Sequence, residues 1–170
     1  MAARWALSCV AVAAVLAGCG GGGGTPVATT SARGFPLGDV VVQRGSQTVL
    51  SLTVEIADNA KAWEKGLMGV KQLPASQGMA FVFPRTVADQ FWMKDTLIPL
   101  DIAFADGGGH IVDMQSMAPC TADPCPTYAS AQPYQTAVEV AAGVLSKAGL
   151  RTGDVLHVAW RSKAVATSGG

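Results

Sequence analysis

The sequence predicts a mainly β domain, a compact sandwich or barrel carrying two short helices. Three observations predict it. Apolar residues alternate with polar ones in short stretches, as in Leu50, Leu52, Val54 and Ile56 against Ser51, Thr53 and Glu55, the mark of half-buried strands. Gly- and Pro-rich turns punctuate these stretches at short intervals. Only two short segments carry helical spacing, and no β-α-β alternation of the kind that builds a parallel sheet is legible.

The elements follow in order. From Val40 the pattern turns β-like, and the strand over Leu50 to Ile56 follows. Asp58-Asn59 offers a cap for a helix over Ala60 to Met68, in which Trp63 and Leu67, four apart, share one face. Gly78 leads into an apolar strand, Met79 to Phe83, stopped by Pro84. Gln90 to Lys94 forms a short strand. The alternating run Ile98 to Phe104 turns at Asp106-Gly107-Gly108-Gly109 and returns over His110 to Met117 as a hairpin. After a Cys- and Pro-rich loop come a strand at Thr136 to Val140, a short helix from Ala141 to Ala148 ended by Gly149, and a last strand at Val155 to Trp160.

The chain ends read differently. Arg4, an apolar run from Trp5 to Leu16 and Leu16-Ala17-Gly18-Cys19 have the anatomy of a secretory leader. The run is shorter than the roughly 20 residues that cross a bilayer. The stretch resembles a bacterial lipoprotein signal. That resemblance implies that Cys19 becomes a lipid-bearing N-terminus and that the domain works outside the cytoplasm, anchored to the bacterial cell membrane. Gly20 to Gly24 and Thr25 to Ser31 are too poor in apolar surface to order themselves. The expected division is a signal peptide over 1–18, a lipidated flexible tether over 19–38, one β-rich domain over 39–161 and a disordered tail over 162–170. The 170 residues carry 12 basic and 12 acidic side chains. Loss of Arg4 with the leader leaves 11 against 12, which gives nucleic acid no electrostatic footprint. No polybasic stretch follows Cys19, so membrane attachment falls to acyl burial alone.

Cys120 and Cys125 lie five apart in a Pro-rich loop. In an oxidising compartment such a pair reads as a disulfide; the alternative is half of a metal site, which two thiolates alone do not complete. Trp92 and Lys94 share one face of an extended segment, with Phe91, Met93 and Asp95 on the other. They either line a shallow ligand site with Asp95 and Asp101 as acceptors, or Trp92 is core and the Lys94 stem covers it. Glu139, inside an apolar strand, needs a partner, and Lys94 is the candidate. A carboxylate pair drawn from Asp95, Asp101 and Glu139 would support hydrolysis. Met114 and Met117 offer soft ligands for copper, although in a strand they face opposite sides. His110 and His157 are isolated, and neither a His-Glu-x-x-His nor a nucleophile-elbow motif occurs. Nothing in the residues calls for a cofactor.

Several blocks together resemble one family. They are Glu64-Lys65-Gly66-Leu67-Met68-Gly69, Leu73-Pro74, Gly78 to Phe83, Phe91-Trp92-Met93-Lys94-Asp95-Thr96 with Ile98-Pro99-Leu100-Asp101, Glu139 in Ala137 to Gly143, and Gly153-Asp154. The chain is similar to the domain of unknown function 192, from Leu52 to Val158, and Cys120 to Tyr128 resembles a lipoprotein branch of it. The position two after Gly66-Leu67-Met68, basic in many members, is Val70 here. The resemblance implies a compact, mostly β fold and no established activity. The expectation drawn from the residues is a binding module for a small polar molecule or an envelope component.

Overall fold

A computed structural model describes residues 27–162. The expected signal peptide, Cys19, the glycine run and the tail from Lys163 onward lie outside the described residues. Nine strands and two helices follow in the order β1 (Leu37–Arg44), β2 (Gln47–Ala57), α1 (Ala60–Lys65), β3 (Gln77–Val87), β4 (Gln90–Trp92), β5 (Leu100–Ala105), β6 (Ile111–Met117), β7 (Thr127–Ala129), β8 (Tyr134–Ala141), α2 (Val144–Lys147) and β9 (Val155–Trp160). Seven of them form one sheet in the order β6-β5-β8-β3-β2-β1-β9, while β4 and β7 pair as a separate ribbon. The two edges of the large sheet meet. His110 bridges Val155, Ile111 N–H donates to the Asp154 carbonyl at 2.8 Å, and Leu156 N–H donates to the Gly109 carbonyl at 2.7 Å. The sheet is thereby closed into a barrel, which removes most of its free edge.

The barrel has two cores. Val40, Val42, Leu52, Val54, Ile56, Ala80, Ala103, Ala105, Val138, Val140 and Leu156 fill the interior, plugged by Leu145 and Leu150 from the α2 region. A second core covers the outer face of β3, β8 and β5. Met79, Phe81, Phe83, Leu100, Ile102, Phe104, Tyr134 and Ala137 lie there beneath Trp63, Leu67, Phe91 and Met93. All six residues of β5 are buried because both of its faces are covered. Its alternation in sequence therefore separates two cores rather than core from solvent.

Local chemistry sets the element ends. The Asn59 side chain accepts from Ala62 N–H at 3.1 Å, and α1 stops at Gly66, where φ is 42°, in the left-handed region open to glycine. It is shorter than the expected Ala60 to Met68. At the β5–β6 hairpin Asp106 Oδ1 accepts from Gly108 N–H and His110 N–H at 2.9 Å each. Pro84 does not stop β3. It falls inside the irregular register between Val82 and Val87, where no ladder donor is required.

Two expectations are corrected. β2 and β3 pair in parallel, joined by α1, so one β-α-β unit exists; its helix is too short for periodicity to announce it. The tether also ends sooner than residue 38. Phe35 is only 5 % exposed, Thr30 bridges Pro36, and Arg33 Nη1 donates to Glu55 Oε2 at 2.6 Å. A composition typical of linkers is ordered by one buried aromatic ring and one ion pair.

Candidate functional site

β4 and the turn after it carry the most distinctive block of the sequence. Phe91 points into the outer core, its ring 5.0 Å from Phe81 and 5.7 Å from Phe104. Met93 is fully buried, whereas Trp92 is 46 % exposed. Lys94 Nζ stands 5.5 Å from the Trp92 ring centroid, within cation–π range. The pleat thus sorts these residues as the sequence implies. The reading of Trp92 as core is overturned: Phe91 and Met93 do the packing. Asp95 adopts φ 55°, a left-handed turn geometry that Asp tolerates. Its side chain is exposed. Its carbonyl accepts from Gly69 N–H at 2.9 Å, which ties the Gly66–Gly69 turn to the Phe91–Thr96 block.

Trp92 forms one wall of a cleft of about 220 Å³ between α1 and β4. Six aromatic rings line it, those of Trp63, Phe81, Phe83, Phe91, Trp92 and Tyr134, together with Glu64, Asp89 and Gln90. Trp63 stacks on Phe83 with centroids 4.8 Å apart, and its Nε1–H donates to the Ala57 carbonyl at 2.9 Å. The Tyr134 hydroxyl donates to the Asp89 carbonyl at 2.9 Å, and burial raises its pKa. These bonds fix the ring planes, so the cleft is preformed. Its only charged lining groups are two carboxylates. A larger cavity of about 380 Å³ lies beside the β2–β3 seam, with Arg33 and Glu55 among its lining. There the two charges already satisfy each other at 2.6 Å.

The proposed carboxylates do not converge. Glu139 lies on the outer face, between Met79 of β3 and Ile102 of β5 in the register. It is 4 % exposed, and burial pushes its pKa from 4.5 up to about 8. Lys94 is not its partner. The ion pairs among the described residues use Arg33, Arg44, His110 and Arg161, and Lys94 stays over Trp92. Asp101 lies on the opposite face of the sheet. It accepts from Ser116 Oγ and from Gly143 N–H, both at 2.7 Å, and so pins the turn into α2. Asp95 stands at the surface. Asp154 is held by Arg44, which donates to both carboxylate oxygens at 2.8 and 2.7 Å and lowers its pKa.

Met114 packs on the barrel interior and Met117 on the outer core, so the two thioethers are on opposite sides of β6 and offer no common ligand site. Cys120 and Cys125 are joined, with S–S 2.07 Å. Asp123 lies close to both sulfurs, but neither is a free thiolate. Trp63, Glu64, Asp89 and Gln90 were not anticipated as site residues. Glu64 stands in the first family-like block; Asp89 and Gln90 carry no signal of their own.

A family model described as Uncharacterized ACR, DUF192, matches residues 40–158. The chain belongs to the DUF192 family. Among solved structures, this DUF192 domain is similar to a protein of Sinorhizobium meliloti 1021 provisionally described as a transcription regulator. That match has 29 % identity and a TM-score of 0.67, covering 73 % of this chain and 95 % of the other. It is also similar to a protein of unknown function from Novosphingobium aromaticivorans DSM 12444, at 25 % identity and TM-score 0.68, covering 79 % and 94 %. No curated protein matches.

Proposed function

We propose that this DUF192 protein is a non-catalytic binding module, held outside the cytoplasm by a lipid on Cys19, and that its ligand is a small polar molecule seated in the aromatic cleft at Trp92. One observation carries the reading: a half-exposed Trp92 faces Trp63 and Tyr134 across a cleft whose only charged lining groups are Glu64 and Asp89. Aromatic faces accept the apolar side of a sugar ring or a cationic amine. The two carboxylates accept hydrogen bonds from hydroxyls or pair with an ammonium group. Lys94 Nζ, 5.5 Å from the Trp92 ring centroid and outside the cleft's lining, steadies the ring. Hydrolysis by a pair drawn from Asp95, Asp101 and Glu139 is not supported, because these three stand apart.

The test is a thermal-shift panel of amino sugars, neutral sugars, quaternary amines and carboxylates on the full chain in detergent. Amino sugars or quaternary amines raise Tm through mass-action stabilisation of the folded state, about 2.7 kcal/mol at a hundredfold excess over Kd. Trp92→Ala removes that shift and leaves the ligand-free Tm in place. A shift that survives Trp92→Ala, or one given only by the carboxylates, overturns the reading.

A further inference from the structure

We propose that the groove between the N-terminal arm and α1 is the face on which this protein rests against an anionic phospholipid surface. The inference depends on the lipid-anchor reading for its orientation. The groove measures about 280 Å³ and is lined by Arg33, Phe35, Asn59, Lys61 and Lys65, with no carboxylate in its lining. Phe35 forms its floor: the Arg33 guanidinium carbon and Lys65 Nζ stand 4.9 and 5.1 Å from the ring centroid. Arg33 is neutralised by Glu55 at 2.6 Å. Lys61 and Lys65 are not. Both are exposed and one turn apart on α1, where residues four apart share a face. The neighbouring carboxylates lie outside the groove's lining. Asp58 accepts from Asn59 Nδ2 at 3.0 Å, and Glu64 lines the aromatic cleft. The groove's lining is therefore cationic, with the nearby carboxylates outside it, in a chain whose charge is balanced overall.

That place is where the chain would leave for the membrane. The arm is closed by the Thr30–Pro36 bridge, three residues after Val27, the first described residue. The eight residue steps from Cys19 to Val27 span at most about 28 Å fully extended. A lipid on Cys19 thus keeps the arm, and the groove it walls, close to the bilayer. The field of an anionic surface fades within a Debye length of about 8 Å. Whichever face turns inward is consequently selected by short-range attraction, worth about fivefold in partition per Lys.

The test uses the full chain produced in a bacterial host and mixed with vesicles of phosphatidylcholine alone or with added phosphatidylglycerol. Acetylation of each lysine by a water-soluble reagent is followed by mass spectrometry. Lys61 and Lys65 are expected to react several-fold more slowly on phosphatidylglycerol vesicles, with Lys71 and Lys147 unchanged, and high salt is expected to erase the difference. Lys61→Gln/Lys65→Gln is expected to weaken phosphatidylglycerol-dependent retention by more than tenfold, two lysines at about fivefold each. Equal reactivity on both vesicles overturns the proposal. Protection by inorganic phosphate without vesicles also overturns it, in favour of a free-anion site. The mass of the N-terminal peptide reports separately whether Cys19 carries lipid, so loss of anchoring is not mistaken for loss of docking.

Discussion

Asp101 and Glu139 are two buried carboxyl groups on neighbouring strands, one residue apart in register: Asp101 pairs with Val140 and Ile102 with Glu139. The pleat sends them to opposite faces of the sheet. Asp101 meets the barrel end, where Ser116 Oγ and Gly143 N–H supply two donors. Glu139 meets the outer core between Met79 and Ile102, where burial is the cause of its raised pKa. Burial by itself therefore does not define a carboxylate's role; the donors its face provides do. The first is a structural pin. The second is kept neutral by its surroundings, because a charge without a partner is expensive to bury.

The largest expected effect is on pH dependence. An acid whose pKa rises from 4.5 unfolded to about 8 folded binds more protons in the native state between those values. Stability is then full below about pH 4.5, falls as pH rises, and levels off above about pH 8. The gap corresponds to about 5 kcal/mol. Urea unfolding from pH 5 to 8 should show this decline in the native protein and a much flatter profile in Glu139→Gln. An equal slope in both would assign the decline to other groups and remove the contrast with Asp101.

Next in size is the aromatic cover of the outer core. Phe104→Ala removes a ring that touches Phe91 and Tyr134 and should cost about 3–5 kcal/mol. It should also abolish binding in the cleft, as Phe91 and Tyr134 lose their support. A variant that loses stability but binds unchanged would separate that core from the site. Asp101→Ala should cost about 1–3 kcal/mol, since it strands the Ser116 hydroxyl and the Gly143 amide, and it should leave ligand shifts intact. Breaking the disulfide with Cys120→Ser/Cys125→Ser should cost about 2 kcal/mol, because the ring it closes is short. Trp92→Ala is the smallest in stability, within about 0.5 kcal/mol, as expected for an exposed side chain. It nevertheless abolishes ligand binding, and does so without the loss of stability that accompanies Phe104→Ala. A Trp92→Ala chain that unfolds would return this residue to the core.

Legibility followed sequence distance. The alternation in Phe91 to Asp95 separated Trp92 and Lys94 from Phe91 and Met93 but left open which pair packs, which the burial of Phe91 and Met93 beneath an exposed Trp92 decided. The Asn59 cap, the Asp106–Gly109 turn and the Cys120–Cys125 bond were legible because their partners lie within a few residues. The pairing of Glu139 with Lys94 was wrong because the two are 45 positions apart in sequence, and only the register of β8 and the path of the turn after β4 could tell that they do not meet. Phe35 was missed because a lone aromatic in a Thr- and Gly-rich stretch gives no periodicity. Asp89 and Gln90 were missed because a cleft wall has no local signature.

By itself the sequence determined the β-rich class, most of the strands and turns though not β7, the disulfide pair and the family, since each depends on side-chain period, turn chemistry or residues held in contiguous blocks. The tertiary structure alone decided the closure of the barrel, the parallel β2–β3 pair, the separation of three candidate carboxylates and the meeting of Trp63 with Trp92 around one cleft. Those facts depend on strand register and on which face each strand covers, and a shift of one residue would reverse every one of those faces.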